Sequence, residues 1–286
     1  MQAVNLKTNH LTQAVGIDDG PLFLSWQCDG GVRQSAYEIE LAAERAVIWK
    51  SGKVQSSIMH ADAPAAAGGS RVRGSWNIRL WDENDVPGPW ASAVFETGLN
   101  ADDWQGLWVD PETEMQEISG EDAINRFART NWERKQAEKE AVGKGTAEPY
   151  VTHCPASYLR KSFTAHAGRA RLYITARGLY VAWLNGVRVG DMVLAPGSFT
   201  GDKHLGAQTY DVTQLLRDGE NELLIALGDG WHRSTSGVDG DRNLFGDRLG
   251  VLFQLEVDGK AVCVSDETMQ ATQRGPLRRS AAGRGI

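Results

Sequence analysis

Apolar residues recur at every second position over much of this chain. Leu22, Leu24 and Trp26 alternate with Phe23 and Ser25, and Tyr37, Ile39 and Leu41 alternate with Glu38 and Glu40. Trp76, Ile78 and Leu80 alternate with Asn77 and Arg79. A period of two places one set of side chains on one face of an extended segment, so each run predicts a strand with one buried face. Shorter β-type runs occur at Val47-Ile48-Trp49 and Val94-Phe95-Glu96-Thr97. Residues 82–85 and Pro87-Gly88-Pro89 carry turn chemistry between them. About seven short strands in roughly 80 residues, with turns at regular spacing, predict a two-sheet β-sandwich over residues 16–100. Residues 1–15 are polar and read as an arm.

The β pattern returns after residue 156. Residues 158–163 and 170–175 read as strands. Two apolar runs, 179–184 and 187–189, are joined by Asn185-Gly186, a pair that tolerates positive φ and signals a tight hairpin. Residues 210–216 read as a strand entering a short helical turn. Residues 223–227 form an unbroken apolar run, as in a central strand covered on both faces. A last hairpin is predicted around Asp258-Gly259, with strands at 249–257 and 261–264. Strand number and length predict a jelly-roll-like sandwich over 157–264. Between the sandwiches, 101–156 reads as a connector with a short charged helical insertion. Ser119 is placed to cap a helix that Ile124, Phe127, Ala128 and Trp132 would dock, ending near Gly143. Residues 265–286 read as a flexible tail with a basic end. The predicted fold class is therefore all-β.

Composition narrows the function. The net charge is −7 and no basic stripe is visible, which disfavours nucleic acid and anionic membrane surfaces. Cys28, Cys154 and Cys263 are sparse and odd in number, so they suggest neither a disulfide framework nor a zinc site. Residues 1–10 contain no apolar run flanked by positive charge, and no window approaches the ~20 apolar residues of a membrane helix. The expectation is a cytoplasmic protein with free thiols. The ten tryptophans suit core packing, and some suit stacking against the C–H face of a sugar.

One ordered series of residues is specific. It runs through 176–191, Leu194-Ala195-Pro196-Gly197, 208–213, 219–223 and Gly228-Asp229-Gly230-Trp231. It closely resembles the N-terminal β-sandwich domain that precedes the catalytic barrel of bacterial α-L-rhamnosidases. Ser35-Ala36-Tyr37, 49–54, 76–82, Trp90 and Phe95-Glu96-Thr97-Gly98 look like the fibronectin-III-like domain that opens many of those enzymes. Asp103-Trp104, Gly106 and Trp108-Val109 look like the connector that follows it there. The resemblance implies a glycoside hydrolase that inverts the anomeric centre with two carboxylates on an α/α barrel. The sequence shows no such barrel. Cys154-Pro155 lacks the adjacent acid of the family's catalytic segment, so no catalytic residue is assigned. The expected role is non-catalytic: carbohydrate recognition, or support of a catalytic barrel supplied by further sequence or by a partner chain. The alternatives are a scaffold fragment without sugar binding and a glycosidase acting on α-L-rhamnosides in its own right.

Residues 228–248 form the best ligand candidate. Trp231, His232, Asp239, Asp241 and Asn243 combine an aromatic face with groups that hydrogen-bond sugar hydroxyls. Asp241, Asn243 and Asp247 carry the oxygen ligands that calcium prefers. The expected ligand is a rhamnose-containing glycan or glycoside, with calcium as the one cofactor that the residues could hold. The plain alternative is a long loop whose aromatics pack on the sandwich while its acids face water. Other carboxylate pairs, such as Asp18-Asp19 and Asp102-Asp103, read as solvated or capping groups. No nucleophile elbow, metalloprotease helix or phosphate loop is present.

Overall fold

The computed structural model describes residues 1–12, 14–65, 68–111, 140, 155–199, 203–233, 245–246 and 248–277. The chain divides into two units, residues 1–104 and 105–286. The predicted helix at 118–142, Cys154 and the basic end at 278–286 lie outside the described residues, apart from Glu140.

Among the described residues the first unit contains nine strands: β1 (Gln2–Thr8), β2 (Ala14–Ile17), β3 (Leu22–Asp29), β4 (Ala36–Ala43), β5 (Ala46–Lys50), β6 (Val54–Gln55), β7 (His60–Ala63), β8 (Arg73–Trp81) and β9 (Ala91–Thr97). One sheet has the order β1-β3-β7. The other has the order β2-β9-β8-β4-β5, with β6 also paired to β4. This is a fibronectin-III-like sandwich in which β2 runs parallel to β9 and the other pairs are antiparallel. Leu22, Leu24 and Trp26 meet Ile39, Leu41, Trp76, Ile78 and Leu80 in its core, as the alternation predicts.

Residues 1–15 differ from the expected arm. β1 pairs with β3 and buries Ala3 and Thr8, while β2 buries Ala14. Small or polar residues face inward here, so the segment carries no hydrophobic signal. The Thr8 hydroxyl accepts from Trp76 Nε1 at 2.9 Å, which satisfies the indole inside the core. Trp26 is satisfied in the same way by Gln34 Oε1 at 2.9 Å, and the Gln34 amide donates on to the Ser56 and Ile58 carbonyls. Two-sided tryptophans of this kind need a polar partner at one edge when buried.

The second unit contains β10 (Ser157–Ala165), β11 (Ala170–Arg177), β12 (Leu179–Leu184), β13 (Val187–Arg188), β14 (Gln208–Asp211), β15 (Gly219–Gly228), β16 (Gly250–Val257), β17 (Lys260–Val264) and β18 (Gln270–Thr272). Its sheets have the orders β13-β12-β15-β10-β18 and β14-β11-β16-β17. All pairings are antiparallel, and β10–β15 and β11–β16 join strands far apart in sequence. This is the expected jelly-roll-like sandwich. β15 is central, as its apolar run predicts. Asn185 and Gly186 both have positive φ, at 53° and 81°, and join β12 to β13. Asn221, almost fully buried, ties this turn to its neighbour. Its Oδ1 accepts from Asn185 Nδ2 and the Arg217 amide, and its Nδ2 donates to the Arg217 and Gly219 carbonyls.

Two further features escaped the pattern. β18 pairs with β10 inside the predicted tail, but all three of its residues are exposed and give no apolar signal. Residues 105–110 form a strap on β16 and the end of β17. The Gln105 amide donates to Gln254 Oε1, the Leu107 amide to the Ser265 carbonyl, and Val109 exchanges both backbone bonds with Val251.

Replacing Trp76 with Ala is expected to cost the first unit about 3–5 kcal/mol, the range for truncating a buried aromatic. Trp90→Ala removes a half-exposed ring that covers Arg79 and is expected to cost about 1 kcal/mol or less. Urea unfolding of the two variants measures both.

Candidate functional site

The candidate loop begins where β15 ends. Asp229 follows Gly228 and is fully buried. A single helical turn, α1 (Gly230–Arg233), comes next. Gly230 has φ 51°, and a Cβ there would lie 2.4 Å from Leu179 Cγ, so the turn requires glycine. One helical turn brings Arg233 back onto Asp229. Its Nε and Nη2 lie 2.9 and 2.7 Å from Asp229 Oδ1, and both side chains are buried. Among the described residues, Asp229 Oδ2 has no hydrogen-bond partner. The buried carboxylate therefore relies on Arg233.

His232 is also buried. Its Nε2 donates to the Arg248 carbonyl at 3.1 Å, while its own carbonyl accepts from the Phe245 amide at 3.3 Å. Gly246 packs against the imidazole so closely that a Cβ would sit 2.9 Å from Nε2. The ring is thus a fastener for the far end of the loop. Trp231 and His232 do share a pocket, with Phe245, Phe199, Leu205, Ala176, Gly178, Pro196 and Gly197. The space these residues enclose suits roughly one water molecule rather than a pyranose ring.

Tyr180 lines up with Gln208 and Tyr210, its hydroxyl 2.8 Å from Gln208 Oε1 and 3.1 Å from the Tyr210 hydroxyl. Burial, reinforced by Tyr210, pushes the Tyr180 phenol far above its usual range, so it acts only as a neutral hydrogen-bonding group. Gln208 passes the network on by donating to the Pro196 carbonyl at 3.0 Å. Arg177, between the lining residues Ala176 and Gly178 in sequence, lies 4.7 Å from the Trp108 ring centre, and Arg248 pairs with Asp110 of the strap.

Of the residues singled out in the sequence, Trp231 and His232 are described, and both line the pocket. Asp239, Asp241, Asn243 and Asp247 lie outside the described residues. Among the described residues no three His, Cys, Asp or Glu side chains are grouped to hold a metal ion. The Asp229–Arg233 pair was missed. Its four-residue spacing was a usable signal, but the segment reads as loop, and the single turn has no apolar period to reveal it.

Two consecutive β-sandwiches, the second with a loop whose described ends are held by Asp229, Arg233 and His232, define a tandem β-sandwich protein. Residues 3–101 match the family described as Rha78A-like, N-terminal immunoglobulin domain, and residues 165–285 match the Alpha-L-rhamnosidase N-terminal domain. Both descriptions are of N-terminal domains, so the chain is similar to the N-terminal part of alpha-L-rhamnosidases. It is 30% identical to an alpha-L-rhamnosidase of Formosa agariphila, with 96% of this chain and 29% of the relative aligned. It is 25% identical to one of Streptomyces avermitilis, over 99% of this chain and 41% of that protein. The crystal structure of Aspergillus terreus alfa-L-rhamnosidase matches with a TM-score of 0.76 at 28% identity, over 98% of this chain and 30% of that one. The chain thus spans less than half the length of these relatives.

Arg233→Ala is expected to cost the second unit about 3–5 kcal/mol by leaving Asp229 charged and buried. The double replacement Asp229→Leu with Arg233→Met is expected to cost less than the single one, which urea unfolding compares directly. Cys263 gives an independent check on packing. Burial pushes its thiol up to about 12, with Lys161 opposing and Asp266 adding to the shift. Iodoacetamide at mildly alkaline pH is expected to leave Cys263 unlabelled in the native protein and to label it in urea, as peptide mapping would show.

Proposed function

We propose that this region supports the catalytic domain of an α-L-rhamnosidase-like glycoside hydrolase and takes no direct part in cleavage. The observation that carries this reading is the inward use of the polar groups described at the two ends of the loop. Arg233 is committed to Asp229 and His232 to the Arg248 carbonyl. Such groups fix a loop's shape, whereas a sugar site leaves donors and acceptors free to meet hydroxyls. The family match supplies the context: the curated relatives carry far more sequence than the part aligned here. The whole protein would then hydrolyse α-L-rhamnosides of a rhamnose-containing glycan or glycoside. The free thiols of Cys28 and Cys263 support a reducing, cytoplasmic setting. Neither nucleic acid nor membrane is a proposed partner, in keeping with the net charge of −7.

Sugar binding by the same sandwich is the second reading. Phe199, Trp231 and Phe245 favour it, since three aromatic walls meet at one pocket. Calcium held by Asp241, Asn243 and Asp247 would belong to this reading.

Calorimetric titration with L-rhamnose, first with calcium and then with EDTA, separates the two. The support reading expects no saturable heat at millimolar sugar and no hydrolysis of an aryl α-L-rhamnoside by this chain alone. It also expects the catalytic part of the Formosa agariphila relative to melt higher when this chain is joined to it in place of the aligned segment. Saturable binding that EDTA abolishes would establish the sugar module instead. A melting temperature unchanged by the joined chain would remove the support role.

A further inference from the structure

The segment after the β12–β13 hairpin is built in an unusual way. Met192, Val193 and Leu194 are consecutive and apolar, yet 42%, 72% and 52% exposed, and Val187, five residues before Met192, is 51% exposed. Leu194 has φ 57°. Among the described non-glycine residues with positive φ it is the one with an aliphatic side chain, the rest being Asn, Asp, His, Glu or Arg. A bulky apolar residue in the left-handed region is a strained choice that a surface loop has no local reason to make.

The loop is nevertheless held firmly. The Val189 amide donates to the Ala182 carbonyl at 2.9 Å, and Gly190 lies beneath the Tyr210 ring, where a Cβ would come within 2.3 Å. Arg188 Nη2 donates to the Met192 carbonyl at 3.0 Å. On the far side the Tyr180 amide donates to the Ala195 carbonyl at 2.8 Å, and Gln208 holds the Pro196 carbonyl. The part-buried Tyr180–Gln208–Tyr210 network therefore serves as the loop's anchor. Anchored ends with an apolar tip present a fixed hydrophobic surface, rimmed by the exposed Arg188 and Asp191. An apolar centre with a polar rim is the composition of an interface.

We infer that Val187, Met192, Val193 and Leu194 form the docking surface for the catalytic domain carried on the same polypeptide. The inference rests on the support reading and names the surface that would perform it. Size selects the occupant. Four side chains fall well short of the roughly 800 Å² per partner that a free, stable complex buries. A tethered domain needs far less, because the linker holds it at an effective concentration on the order of millimolar. The aligned relatives each extend far beyond the region matched here, which leaves room in them for such a tethered domain.

Three measurements test this. In the Aspergillus terreus enzyme, the side chains aligned with 192–194 are expected to lose more than half their exposed area to the part of that chain not matched here. If they face solvent, the inference falls while the support reading stands on other contacts. In the joined protein described above, Val193→Asp is expected to return the melting temperature of the catalytic part toward its value without this chain. The same substitution is expected to leave the unfolding of the isolated chain unchanged. An unaltered melting temperature in the joined variant would overturn the surface, whereas a joined parent that gives no stabilisation would overturn the support reading itself. Sedimentation of the isolated chain is expected to show a monomer. A dimer dispersed by Val193→Asp would assign the patch to a second copy and overturn the inference.

Discussion

The register of β15 governs the second sandwich. This strand pairs with β10 over nine residues and with β12 over six, and both pairings are antiparallel. Side chains alternate along a strand, so a slip of one residue would exchange its two faces. Leu223, Ile225 and Leu227 would leave the core, and Asp229 would lose its place beside Arg233. The turn at Asn185-Gly186 depends on the same register through Asn221, which reaches it from the start of β15. One strand thus sets a turn at its beginning and an ion pair at its end, with the hydrophobic layer between them.

Much of this was legible in the sequence, for a simple reason. Where one face of a strand is buried, period-two patterning is expected, and β3, β4 and β8 show it. Strands that contribute hydrogen bonds rather than apolar area leave no such trace. β1 turns Ala3 and Thr8 inward, and β18 joins β10 by backbone pairing with its own residues exposed. The strap at 105–110 is equally silent, because its attachment is a series of bonds to Gln254, Val251 and Ser265. At the site, the aromatic Trp231 and the imidazole of His232 were visible as residue types. Their direction was not. Whether a histidine faces a ligand or a carbonyl depends on Arg248, sixteen positions away.

The tryptophans show how residue type underdetermines role. Trp26, Trp76 and Trp81 are buried, the first two with a polar partner for the indole nitrogen. Trp90 and Trp108 reach the surface, but each is covered by an arginine, Arg79 at 4.9 Å and Arg177 at 4.7 Å. Arg79 also lies 4.8 Å from the Trp81 ring and pairs with Glu38, which binds the stack to β4. Guanidinium stacking on an indole is attractive in its own right, and it fills a face that a sugar would otherwise use. A chain rich in aromatics can therefore present little free aromatic surface.

The strap has a consequence for how chains of this type can change over time. Residue 110 and β10 are both fastened to the same sandwich, one through Asp110 and Arg248 and the other through pairing with β15. Whatever length of chain connects two points already fixed on one body adds little to the cost of folding that body, about 0.6 kcal/mol for each doubling. The interval between the strap and β10 is thus a point of free insertion, where whole new modules can be admitted while the sandwich keeps its strand order.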